Sequence, residues 1–159
     1  MQDGEEFAAW VTPHLPAMHR YAARLVDPAD VDDVVQEALT RAWVRWPTYD
    51  AGRGATTGWL LAIVADKARR HRTRTRVWAP LETVPIGTQQ PATEPGETDV
   101  DLERAILKLS PRQRQVVELY YFVGADIATC AGALGVAEGT VRATLHQARA
   151  QLRAHLRDG

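Results

Sequence analysis

Arg142, His146, Arg149 and Arg153 recur at intervals of four and three residues near the end of the chain, a spacing that puts all four on one face of an α-helix. Val141, Leu145, Ala148, Leu152 and Leu156 follow the same rhythm one residue earlier and define an adjoining apolar face. Guanidinium groups held in a row beside a buried stripe suit the phosphates and guanine edges of a DNA major groove. An ordinary surface helix with solvated arginines fits this segment alone. The chain in front of it favours the first reading.

Ile127 to Gly135, IATCAGALG, has the length of one short helix. Asp126 is placed to cap its start, and Gly135 to take the left-handed conformation that ends it. Val136 and Ala137 then complete a tight turn into the helix beginning at Glu138. A short helix, a Gly-containing turn and a basic second helix make a helix-turn-helix, whose second helix enters the groove. Ser110-Pro111-Arg112-Gln113 marks another helix start upstream, with a capping-box pattern and a first-turn proline.

Nothing in the chain competes as catalytic chemistry. The five histidines, at 14, 19, 71, 146 and 155, lack cysteine or carboxylate companions at metal-ligand spacing. There is no Gly-rich phosphate loop, and Ser110, the sole serine, is committed to a helix start. The single cysteine, Cys130, excludes an internal disulfide and falls on the inward face of its short helix. The expectation is a binding protein without metal or cofactor. No apolar run approaches the ~20 residues of a membrane span, and no basic-then-apolar leader opens the chain. The expected location is therefore the cytoplasm. Seventeen Arg against two Lys, with no Asn, suggest a GC-rich bacterial genome.

The net charge of −1 hides a strong segregation. Residues 1–50 carry −5, 51–80 carry +6, 81–103 carry −6 and 104–159 carry +4. One polyanion touched at two separated places would account for the two basic blocks. From Thr73 to Asp99 the chain is rich in Pro, Gly, Thr, Glu and Gln, and Pro80, Pro85, Pro91 and Pro95 interrupt any helix. This reads as a flexible acidic linker over 77–101, between an N-terminal module (1–76) and a C-terminal one (102–159). The fold class expected is all-α, two small helical domains.

The elements of the first module follow from their periods. Phe7 to Leu25 is amphipathic and should split at Pro13 and Pro16. Val31, Val34, Val35, Ala38, Ala42 and Trp46 define the inward face of the clearest helix of the chain. First-turn acids Asp30, Asp32 and Asp33 complement the helix dipole, but Gln36, Glu37 and Arg41 prolong them into one polar strip. Such a strip suits a protein partner. Pro47 ends this helix, and a Gly-containing loop, Thr48 to Thr57, leads to a helix over Gly58 to Arg72. Its far end carries five arginines within Arg69 to Arg76, which repel one another unless phosphates or acids lie nearby. Tyr49 and Arg53 in the adjoining loop are an aromatic and a cation of the kind that capture an unstacked base.

These motifs carry a family resemblance. DVDDVVQEALTRAWVRW, Asp30 to Trp46, resembles the polymerase-binding region of bacterial sigma factors. TYDAGRGATTGWLLAIVADKARRHR resembles the promoter-melting and minus-ten-reading region, and LSPRQRQVVELYYFVGADIATCAGALGVAEGTVRATLHQARAQL is similar to the fourth sigma region. Two such regions across a short acidic linker resemble the extracytoplasmic-function group. The resemblance implies that Asp33, Gln36, Glu37 and Arg41 dock on core RNA polymerase. Tyr49, Arg53, Lys67, Arg69 and Arg70 would meet minus-ten DNA, and Thr140, Arg142, His146 and Arg149 the minus-thirty-five element. It further implies an anti-sigma partner, possible retention at the membrane by it, and polymerase as the only catalyst.

Departures from the pattern qualify the implied roles. Thr56 replaces a common aromatic, and Asp66 a common Asn, so Asp66 either accepts from a base amino group or pairs with Arg70 four residues on. Ala137 lacks the usual capping hydroxyl, a loss of ~1 kcal/mol. Thr144 and Gln147 stand where Arg is frequent, and Gly132 weakens its helix. The helix-turn-helix is therefore expected to lean on a partner for order. Two rival readings are a sigma-like decoy that never touches DNA and a plain helix-turn-helix repressor. The basic row argues against the first, and the strip from Asp33 to Arg41 against the second.

Overall fold

The computed structural model describes residues 2–50, 52, 55–78 and 97–158, and among them all regular structure is helical. Helix α1 (Gln2–Val11) passes through a 3₁₀ turn at Thr12–His14 into α2 (Leu15–Leu25). Pro13 and Pro16 sit in the first turns of these two pieces, where a missing N–H costs nothing. Helix α3 (Val31–Arg45) buries Val34, Val35, Ala38 and Ala42, the face its period defines. Pro47 stops it in a 3₁₀ turn, Trp46–Thr48, which leaves Trp46 half-buried.

Helix α4 (Thr56–Trp78) is longer than its sequence suggests, running six residues past Arg72. Acids neutralise its basic end: Arg69 and Arg70 both pair with Asp66, and Arg74 donates to both oxygens of Glu37 at 3.0 Å. Helix α5 (Glu97–Leu107) likewise begins inside the stretch read as linker. Residues 79–96, with the four interrupting prolines from Pro80 to Pro95, lie outside the described residues.

The C-terminal half forms by local rules. Ser110 accepts from Gln113 N–H at 3.3 Å while the Gln113 side chain accepts from Ser110 N–H at 3.2 Å, a complete capping box for α6 (Pro111–Val117). The helix runs on as a π-turn, Glu118–Val123, closed by Gly124 in the left-handed region at φ 84°. Asp126 Oδ1 caps α7 (Ile127–Leu134), accepting from Thr129 N–H at 2.7 Å, and Gly135 at φ 67° ends it. Helix α8 (Glu138–Asp158) buries Val141, Leu145 and Ala148. Leu156, expected on the same face, is 44% exposed, because α8 outruns the helices that cover it.

The two halves are not separate bodies. One core holds Met18 and Tyr21 of α2, Val34 and Val35 of α3 and Leu60, Leu61 and Val64 of α4, and it continues through Leu119, Cys130 and Val141. The join is the crossing of α4 and α7 at Gly58. A Cβ there would lie 2.9 Å from Thr129 O and 3.2 Å from Ala133 N and Gly132 Cα. All three are backbone atoms, so no side chain can move aside. Two helix backbones meet where axes ordinarily stand 8–10 Å apart with side chains between. Gly132, whose sequence reading is a weakened helix, is one half of this contact.

Candidate functional site

The cationic row lies on the outer side of α8, set there by burial of Val141, Leu145 and Ala148. Thr140, Arg142 and His146 are exposed, and Arg142 sits 3.8 Å from Glu138. Arg149 is held differently. Its Nε donates to the Tyr121 hydroxyl at 2.5 Å, and its guanidinium lies 5.6–5.7 Å from the Tyr120 and Tyr121 ring centres. The Tyr121 hydrogen bond raises the Arg149 pKa. Tyr121 is 51% exposed on the π-turn beside this row, a neighbour that sequence spacing cannot supply.

A second polar surface forms where α3 meets α4. Asp33, Gln36 and Arg41 are exposed, while Glu37 is half-buried under Arg74. His71 Nε2 lies 3.4 Å from Asp30. Lys67 is half-buried, and Arg69 and Arg70 are exposed. Their shared acceptor Asp66 lies 3.1 Å and 3.2 Å from them, so of its two sequence readings the structure adopts the pairing one. Partial burial opposes its ionisation, but the Arg69 hydrogen bond and the Arg70, Arg69 and Lys67 charges hold the Asp66 pKa below its ordinary value.

Beside this surface, Tyr49 is not splayed out for a base. Its ring packs 4.8 Å from Trp59 and 5.2 Å from Trp10, and its hydroxyl is 2.5 Å from Thr56 Oγ1. Trp10 joins Tyr49 to Phe7, Trp46 and Trp59, and Trp43 extends the cluster to the surface at 41% exposure. His14 Nδ1 is 2.8 Å from Thr57 Oγ1, and burial lowers its pKa. Arg53, expected to accompany Tyr49, lies outside the described residues.

The seam between the halves holds a third group that sequence reasoning missed. Arg24 of α2 grips Glu103 of α5 through two hydrogen bonds of 2.8 and 3.2 Å, with its guanidinium 3.8 Å over the Phe122 ring. Arg20 sends Nε and Nη2 to Val123 O at 3.1 and 2.9 Å. Glu118 is 6% exposed beneath them. Burial pushes its carboxyl up to about 7 against the pull of Arg24 and Arg114. Burial likewise raises the Tyr21 hydroxyl, helped by Glu118, and lifts the Cys130 thiol to about 11. Such pairs, 79 residues apart in the case of Arg24 and Glu103, leave no periodic trace in one sequence.

Among the described residues, no cluster of three or more His, Cys, Asp or Glu could hold a metal, and no helix is long and apolar enough to cross a membrane.

Residues 10–77 match the family model for sigma-70 region 2, and residues 99–152 that for sigma-70 region 4. The RNA polymerase sigma-E factor of Streptomyces coelicolor is 35% identical, over 95% of this chain and 86% of that protein. The extracytoplasmic-function (ECF) sigma factor SigL of Mycobacterium tuberculosis is 35% identical over 91% of this chain and 85% of its own. In solved structures, the sigma factor RpoE of Bartonella quintana, in complex with the anti-sigma factor NepR, superposes with a TM-score of 0.68 at 25% identity. That match spans 96% of this chain and 98% of the other, so it takes in both helical halves. CnrH, solved with the cytosolic domain of CnrY, shares the fold at 24% identity and a TM-score of 0.67, over 98% of this chain and 90% of that one. With these likenesses running the length of the chain, and with a helix-turn-helix and a polar α3 strip in sigma order, the protein belongs to the ECF sigma factors of the sigma-70 family, non-enzymatic factors of transcription initiation.

Proposed function

We propose that this chain binds core RNA polymerase through α3 and directs it to promoters whose minus-ten and minus-thirty-five elements are read by α4 and α8. The N-terminal module (1–76) and the C-terminal module (102–159) divide the work, joined by the segment 77–101. Asp33, Gln36, Glu37 and Arg41 form the docking strip. Arg69, Arg70 and Lys67, with Tyr49 and Arg53 from the loop, meet minus-ten DNA, while Thr140, Arg142, His146 and Arg149 meet the minus-thirty-five element. An anti-sigma factor controls the chain in the cytoplasm, where that partner can also hold it at the membrane.

One observation carries this reading: a single chain exposes both a protein-facing acidic strip on α3 and a cationic row on the second helix of a helix-turn-helix. A repressor needs only the row, and a decoy only the strip. Charge reversal at Asp33→Arg with Glu37→Arg tests it, because acids that dock on a cationic polymerase surface become repulsive. The variant should keep its helicity and fail to co-purify with core polymerase. Retention at the wild-type level removes the docking assignment.

A further inference from the structure

Two DNA-reading surfaces of one chain must stand as far apart as the elements they read. The minus-ten and minus-thirty-five elements, named by their distances from the start site, lie about 25 base pairs apart. That is about 85 Å at about 3.4 Å per base-pair step. A packed chain of 159 residues is only about 40 Å across. The structure fixes α4 and α7 backbone to backbone at Gly58, so the helices assigned to the two elements belong to one such body.

We propose that the chain closes on itself, and that the Gly58–Gly132 crossing with the Arg20–Arg24 clasp is an autoinhibitory contact that must open before one molecule can engage both promoter elements. The proposal rests on the sigma-factor reading above. Covalent geometry permits the opening: the chain from Trp78 to Glu97 can extend about 65 Å, which with the widths of the two modules covers the required span.

The chemistry of the seam is that of a contact built to part. Its α7 side presents small residues, Cys130, Ala131 and Gly132, so little interdigitated side chain has to be withdrawn. It buries the carboxyl of Glu118, and the buried Arg24 Nε has no hydrogen-bond partner. Both groups recover water on opening, which offsets part of the lost packing. The polar grip is concentrated in two arginines of α2, Arg20 on a backbone carbonyl and Arg24 on Glu103.

The full-length chain supplies its own reporter, because Cys130 is fully buried and close enough to Tyr21 of α2 to affect its titration. Gly58→Ala drives a Cβ into the α7 backbone while improving the intrinsic helicity of α4. Arg24→Glu breaks the clasp, and Arg24→Glu with Glu103→Arg restores it in reverse. In both single variants a thiol-reactive disulfide reagent should label Cys130 at least ten-fold faster, at unchanged helicity. The radius of gyration from solution scattering should rise. Run-off transcription with core polymerase at limiting factor should increase several-fold, and the double swap should return all three toward wild type.

Wild-type labelling and dimensions in both single variants overturn the latch. An opened chain without a gain in transcription overturns its inhibitory role. Labelling and scattering need no polymerase, so the sigma-factor reading fails separately: a wild-type chain that closes and opens as described yet directs no initiation overturns that reading, and the inhibitory role with it.

Discussion

Replacing Glu118 by glutamine isolates the energetics of the buried seam. The carboxyl is 6% exposed and its pKa stands at about 7 against an ordinary 4.5. Burial is the main cause, with Glu103 adding to it and Arg24, Arg114 and Arg72 opposing it. The Tyr21 hydroxyl, itself raised by Glu118, faces it from α2. Between these two pKa values the folded chain keeps a proton that the unfolded chain has released. Stability therefore falls as pH rises, by about 1.4 kcal/mol per unit. The contribution of this group is complete below about 4.5 and gone above about 7, a loss of about 3 kcal/mol. The Glu118→Gln side chain stays neutral, polar and of the same shape at every pH.

Urea unfolding followed by far-ultraviolet circular dichroism, at pH 5, 6, 7 and 8, measures the difference directly. Titration of the five histidines is common to both proteins and cancels. The variant should match wild type within about 1 kcal/mol at pH 5 and exceed it by about 3 kcal/mol at pH 8. A difference that stays constant across this range would falsify the assignment of a buried, proton-holding Glu118.

Other substitutions test the surfaces and the local rules. Arg142→Ala with Arg149→Ala should weaken transcription from minus-thirty-five-dependent promoters and lower the salt slope of DNA binding by about two; equal run-off activity means that another face reads the DNA. Tyr121→Phe removes the hydroxyl that orients Arg149, so DNA affinity should drop a few-fold at an unchanged salt slope, and a loss of slope would make Tyr121 itself a phosphate contact. Ser110→Ala deletes half of the capping box and should cost about 1 kcal/mol in urea unfolding at constant m-value. No change there would show that the start of α6 is held by its packing alone.

Much of the fold was legible because the signals are local. The period of Val34, Val35, Ala38 and Ala42, the breaks at Pro13 and Pro16, the caps at Ser110 and Asp126 and the left-handed Gly135 each lie within a few residues of the structure they dictate. The cationic row on α8 was legible for the same reason. Contacts made over long distances in sequence were not. Gly132 reads as a weak spot in its helix until Gly58 is seen against it, and Arg24 gives no sign of Glu103. The length of α4 was underestimated because a run of arginines looks self-repelling until Asp66 and Glu37 are placed beside it. Tyr49 was read as free to take a base, yet three aromatic residues, Trp10, Trp46 and Trp59, build the cluster that takes up its ring.

Whether this chain selects start sites is decided most directly by adding it, purified, to sigma-free core polymerase on genomic DNA and mapping the 5′ ends of the transcripts. The account predicts a small set of discrete starts that share two sequence blocks at fixed spacing and vanish without the chain. Transcripts that begin at the same scattered positions with and without it would contradict the account at its root.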